Sequence, residues 1–129
     1  MRTEYRFLLV GASVDDPWQQ VIDATARTIG RLCVAQEDEA LQLIRQHPYD
    51  VVIIDAAKVE DMYHLITSFR VARPETKIVV VTMSPTWKRA REAFRVGATD
   101  YVRKSMNEAE NRSLLEASLG KTSPVSSAE

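Results

Sequence analysis

Residues 49–55 read Tyr49-Asp50-Val51-Val52-Ile53-Ile54-Asp55 (YDVVIID). Val51 to Ile54 are all branched at Cβ and do not alternate with polar residues, which predicts a strand buried on both faces, as in a parallel sheet. Asp55 closes that strand. In open parallel sheets the C-terminal strand edge borders a crevice lined by helix N-termini, where ligands gather. The same apolar pattern recurs on either side, in Lys77–Thr82 (KIVVVT) and Phe7–Val10 (FLLV). Two shorter runs complete the set: Arg31–Ala35 (RLCVA), and Tyr101 with Val102 in a brief last strand ending at Lys104.

Amphipathic segments fill the intervals. Asp16 followed by Pro17 is a helix start, because Asp accepts bonds from otherwise unpaired amides and Pro lacks the donor that position would leave unsatisfied. Trp18, Val21, Ile22, Thr25 and Ile29 then share one face, and Gly30 closes the segment. Glu37, Asp38 and Glu39 open a second helix with negative charge at its positive dipole end, Ala40, Leu43, Ile44 and His47 share its face, and Pro48 stops it. Met62, Leu65, Ile66 and Phe69 mark a third, closed by Arg73 and Pro74. A fourth starts at Pro85, with Trp87, Ala90, Ala93 and Phe94 inward and Gly97 as its C-cap; Met106 to Leu119 is a weaker fifth. Small residues after the first strand, Gly11, Ala12 and Ser13, let the backbone turn or pack closely.

Strict alternation of strand and helix predicts an α/β fold: a doubly wound, five-stranded parallel sheet with right-handed crossovers and helices on both faces. The expected arrangement is a (βα)5 flavodoxin-like three-layer sandwich with strand order 2-1-3-4-5. Residues 1–120 form that domain, and the Ser-rich run 121–129 reads as a tail or the start of a linker.

Composition narrows the functional classes. The chain has 129 residues, enough for one domain with a real core. Its 17 basic and 18 acidic residues nearly cancel, which argues against direct nucleic-acid binding. The lone cysteine, Cys33, lies in an apolar run and reads as core filler; His47 and His64 have no ligand-spaced partners. No run approaches the ~20 apolar residues that span a bilayer, so a cytoplasmic location without membrane contact is expected.

Asp55, Thr82 and Lys104 end three strands on one edge. A carboxylate, a hydroxyl and an ammonium converging there can accept, hydrogen-bond and neutralise a phosphoryl group. With these residues in VVIID, VVVTMS and GATDYVRKS, and with the string FRVGATDYV, the chain from Phe7 to Leu119 resembles the response regulator receiver domain of two-component signalling. The resemblance implies a signalling module, not an enzyme. It implies Asp55 as phosphoacceptor and metal ligand, Thr82 and Tyr101 as switch residues, Lys104 as the phosphate-pairing lysine, and Mg²⁺ as cofactor. It implies a sensor histidine kinase or phosphotransfer protein as partner. The fourth helix, fifth strand and fifth helix become the partner face, and basic Lys88, Arg89, Arg91 and Arg95 against acidic Glu108, Glu110 and Glu116 suit a homodimer there.

Departures from the family pattern leave alternatives open. Where the acidic pair that holds Mg²⁺ usually follows the first strand, this chain has Gly11 and Ala12; the acids come later, at Asp15 and Asp16. If the strand ends at Val10 the pair is displaced, and if it runs through Val14 they fall close to place. Asp15 and Asp16 are therefore metal-ligand candidates, against a reading in which Asp16 only caps a helix. Lys58 either supplies local positive charge or is an exposed loop lysine, the preferred reading. Met83 after Thr82 adds bulk where access is needed, and Ser105 stands where Pro commonly follows the lysine. Two other functions compete with a phosphorylated receiver. One is a phosphorylation-independent pseudo-receiver that acts as an interaction module. The other is a nucleotide binder or flavodoxin-like enzyme, disfavoured because the first loop carries two acids that would repel phosphate.

Overall fold

A computed structural model describes residues 4–11, 13 and 15–120. The strands are β1 (Tyr5–Val10), β2 (Gly30–Ala35), β3 (Val51–Asp55), β4 (Lys77–Thr82) and β5 (Asp100–Arg103). The helices are α1 (Pro17–Arg27), α2 (Glu37–Gln46), α3 (Met62–Ala72), α4 (Trp87–Val96) and α5 (Glu108–Ser118), with one 3-10 turn at Ala56–Lys58. All five strands are parallel, in the order β2-β1-β3-β4-β5.

The unbroken aliphatic runs of β1, β3 and β4 follow from burial on both faces. Phe7, Leu9, Val51, Ile53, Val79 and Val81 point to one side, where Trp18 and Ile22 of α1 and Leu115 of α5 cover them. Leu8, Val10, Val52, Ile54, Ile78 and Val80 point to the other, against Ala40 and Ile44 of α2, Leu65, Ile66 and Phe69 of α3 and Ala93 of α4. The register pairs Asp55 with Val81 and Thr82 with Arg103, and the Lys104 amide donates to the Thr82 carbonyl at 2.9 Å. Asp55, Thr82 and Lys104 thereby end on one edge. Among the described residues, no helix is long and apolar enough to cross a membrane.

β1 ends at Val10, the first of the two ends the sequence allowed, and Val14 and Ala12 lie outside the described residues, as do residues 121–129. Several other expectations are corrected. Gly30 opens β2 and does not close α1: a Cβ there would lie 2.1 Å from the Tyr5 carbonyl oxygen, so glycine lets β1 and β2 approach at their start. His47 is the exposed C-cap of α2, outside its buried stripe. Thr86, not Pro85, starts α4, its side chain accepting from the Arg89 amide; Asn107 likewise caps α5. Trp87 and Phe94 face outward, Trp87 at 79% exposure. Two stripes competed on this helix, and the one of small residues around Ala93 packs against the sheet, leaving both aromatics on the outer face. The Arg91 guanidinium lies 6.0 Å from the Trp87 ring centroid.

Candidate functional site

The site is built from four charged side chains. Asp55 is 1% exposed at the end of β3, and its Oδ1 accepts from the Ala57 amide at 3.1 Å, capping the 3-10 turn. That turn carries Lys58 back over the strand end. Lys58 Nζ lies 2.9 Å from Asp16 Oδ2 and 3.7 Å from Asp55 Oδ2. Lys104 Nζ lies 2.7 Å from Asp55 Oδ2 and 3.7 Å from Asp16 Oδ2, under the Trp18 ring at 5.0 Å from its centroid. The buried Asp55 Oδ2 thus has both ammoniums as close counter-charges. Two carboxylates and two ammoniums form a formally neutral cluster.

Asp16 caps the helix, the first of the two roles left open by the sequence, and gives its other oxygen to a lysine. Its Oδ1 accepts from the Trp18 amide at 2.9 Å and caps α1, while Oδ2 takes the Lys58 ammonium. Asp15 is exposed in the turn before α1 and takes no part in the cluster. Thr82 is buried, with Oγ1 accepting from the Ser84 amide, and Tyr101 is half-buried against the α3–α4 side of the core. Tyr101 also lines a cleft of about 380 Å³ with Tyr63 and Glu92. The Tyr63 hydroxyl donates to Glu92 there, and burial together with that bond raises its pKa. Met83 is exposed, its carbonyl accepting from Arg103.

Of the two readings of Lys58, the structure favours local positive charge over an exposed loop lysine: its side chain is only 28% exposed and bridges the two acids. Its position depends on residues distant in sequence. Glu37 accepts from the Glu60 and Asp61 amides at 2.7 and 3.0 Å and pins the loop that follows. Gly11, at φ +93°, packs under it: a Cβ at residue 11 would lie 2.7 Å from Lys58 Cβ. In the sequence, the signal for this close packing was the small residue at position 11.

Burial would raise the Asp16 carboxyl, but hydrogen bonds from Lys58 and the Trp18 amide, with the charges of Lys104 and Lys58, outweigh it and hold the pKa below the ordinary 3.8. The hydrogen bond to Asp16 raises Lys58 above 10.5, against burial and with help from Asp55. A depressed carboxyl stabilises the fold above its unfolded pKa, and the contribution disappears as pH falls through the lower folded value. A raised lysine stabilises below its unfolded pKa and loses the contribution as pH rises through the folded value. Stability from this pair is therefore flat between about 3.8 and 10.5 and falls at both ends. Asp16→Asn, which keeps the cap and removes the charge, is expected to flatten the acid limb of urea-unfolding free energy against pH. An unchanged acid limb would show that the pair contributes nothing.

The family model for the response regulator receiver domain matches residues 17–116. The chain belongs to the receiver domain family. Receiver domains are signalling modules of two-component systems. The fold is similar to that of a response regulator from Thermotoga maritima, at 19% identity and TM-score 0.80 over 91% of this chain and 98% of that one. It is also similar to a chemotaxis response regulator of Vibrio cholerae, at 23% identity and TM-score 0.79 over 91% of this chain and 100% of that one. A third likeness is to a Burkholderia pseudomallei response regulator described with a phosphorylated aspartic acid, calcium ion and citrate. It is 22% identical at TM-score 0.75, over 95% of this chain and 71% of that one. No curated protein matches the chain at the sequence level.

Measured against a divalent cation, this receiver's edge fits poorly. Mg²⁺ needs oxygen ligands at about 2.0–2.1 Å in near-octahedral array. Such a site is commonly built from one or two carboxylates with a substrate phosphate and water, so the fit turns on the acids at this edge. The two acids that do meet, Asp16 and Asp55, already share the Lys58 ammonium.

Proposed function

We propose that this receiver domain accepts a phosphoryl group on Asp55 from the phosphohistidine of a sensor kinase or phosphotransfer protein, in the cytoplasm. The observation that carries the reading is the contact of Asp55 Oδ2 with Lys104 Nζ at the sheet edge, with Thr82 ending the adjacent strand. The carboxylate oxygen attacks phosphorus, the P–N bond breaks, and the imidazole leaves with the bonding pair and takes up a proton. Lys104 and Lys58 then face the new phosphoryl oxygens. Because Asp55 is sealed, Lys58, the more exposed lysine, swings aside to admit the donor. The acyl phosphate carries one more negative charge than the carboxylate, so Asp16 is the group it repels. Thr82 and Tyr101 relay that change to α4, β5 and α5, where exposed Trp87 and Phe94 meet a partner, a second copy of the chain included.

A second reading has one observation in its favour: the cluster is already neutral and Asp55 is closed to solvent, which suits a phosphorylation-independent interaction module. Intact mass after incubation with acetyl phosphate and Mg²⁺ separates the two. One added phosphoryl group, absent from Asp55→Ala, is expected. No addition to folded protein would leave the interaction module as the reading.

A further inference from the structure

We propose that Lys58 is a resident cation, its ammonium holding the place between Asp16 and Asp55 that a divalent metal would need. Three features support this. Lys58 Nζ contacts both carboxylates, at 2.9 and 3.7 Å, leaving each acid with a lysine partner before any ion arrives. A metal ion entering between them would meet a like charge at contact distance in a largely buried setting, where screening is weak. Gly11 and Lys58 also form one steric unit. The residue that follows β1 has no Cβ, and the space a Cβ would occupy lies 2.7 Å from Lys58 Cβ and 3.5 Å from the Asp55 carbonyl. A carboxylate-bearing side chain at residue 11 would collide with the loop that delivers the lysine. A glycine after β1 and a lysine after β3 thus work together to place a tethered cation where a recruited one would sit. Finally, the tether is fixed at both ends: Asp55 caps the turn that starts it, and Glu37 pins the amides of Glu60 and Asp61 that follow it.

The consequence for metal binding stands alone, whereas the consequence for phosphoryl transfer rests on the reading of Asp55 as acceptor. With the counter-charge built in, the acyl phosphate is paired by Lys58 and Lys104 and its formation does not depend on added Mg²⁺.

The test is calorimetric titration with Mn²⁺ alone, a divalent ion suited to carboxylate oxygen. Wild type is compared with Lys58→Met, which removes the charge, and Lys58→Arg, which keeps it. Lys58→Met is expected to bind at least about tenfold more tightly than wild type, with Lys58→Arg near wild type. Wild-type binding as tight as that of Lys58→Met would overturn the proposal, and so would Lys58→Arg binding as tightly as Lys58→Met. Neither result depends on phosphorylation, so failure here is distinct from failure of Asp55 as acceptor.

Discussion

Lys104→Met is expected to destabilise the domain by about 3 kcal/mol, the lower end of the range for removing one partner of a buried ion pair. Its side chain is 6% exposed and that of Asp55 1%, so solvent cannot take over the lost interaction. The cost stays at the lower end because Lys58 remains 3.7 Å from the same oxygen. Asp55→Asn combined with Lys104→Met removes the stranded charge and is expected to recover much of the loss. Urea unfolding of the single and double variants measures both. A single-variant loss below about 1 kcal/mol would place the pair in the range of solvated surface bridges and undo the description of the site as sealed.

Phe69→Ala is expected to cost about 3–5 kcal/mol. Phe69 is fully buried in the same core cluster as Leu65, Ile66, Ile78 and Ala93, and close-packed interiors relax only partly into such a void. Trp87→Ala, by contrast, is expected to change stability by no more than about 0.5 kcal/mol, because the ring stands in solvent. Denaturant midpoints with unchanged slopes decide the comparison. A large loss in Trp87→Ala would mean that α4 packs its aromatics inward after all.

These two aromatics mark where sequence reading succeeds and where it stops. Phe69 was legible because Met62, Leu65, Ile66 and Phe69 form one apolar stripe on α3 and leave no second candidate face. On α4 the side that meets the sheet carries the small residues around Ala93, so hydrophobic size pointed the wrong way. The strands were legible for another reason: VVIID and KIVVVT keep their interiors wholly aliphatic and Cβ-branched and put their polar residues at the ends, as short strands buried on both faces do. Asp55, Thr82 and Lys104 could be placed on one edge from strand ends alone, since parallel register aligns them.

What remained hidden was every contact made by a turn. Lys58 reaches Asp16 across 42 residues of sequence only because the 3-10 turn reverses it and Gly11 leaves room. Asp16 looked like a choice between cap and ligand. A carboxylate has two oxygens, and Asp16 uses one for each neighbour. Trp18, read only as part of a helix face, also roofs Lys104.

The most direct measurement is intact mass of the wild-type domain after acetyl phosphate treatment in excess EDTA, beside a matched sample in Mg²⁺. One added phosphoryl group is expected in both, to similar extent, and none in Asp55→Ala. Addition only in the Mg²⁺ sample would contradict a resident cation at Lys58, and addition in neither would contradict Asp55 as acceptor.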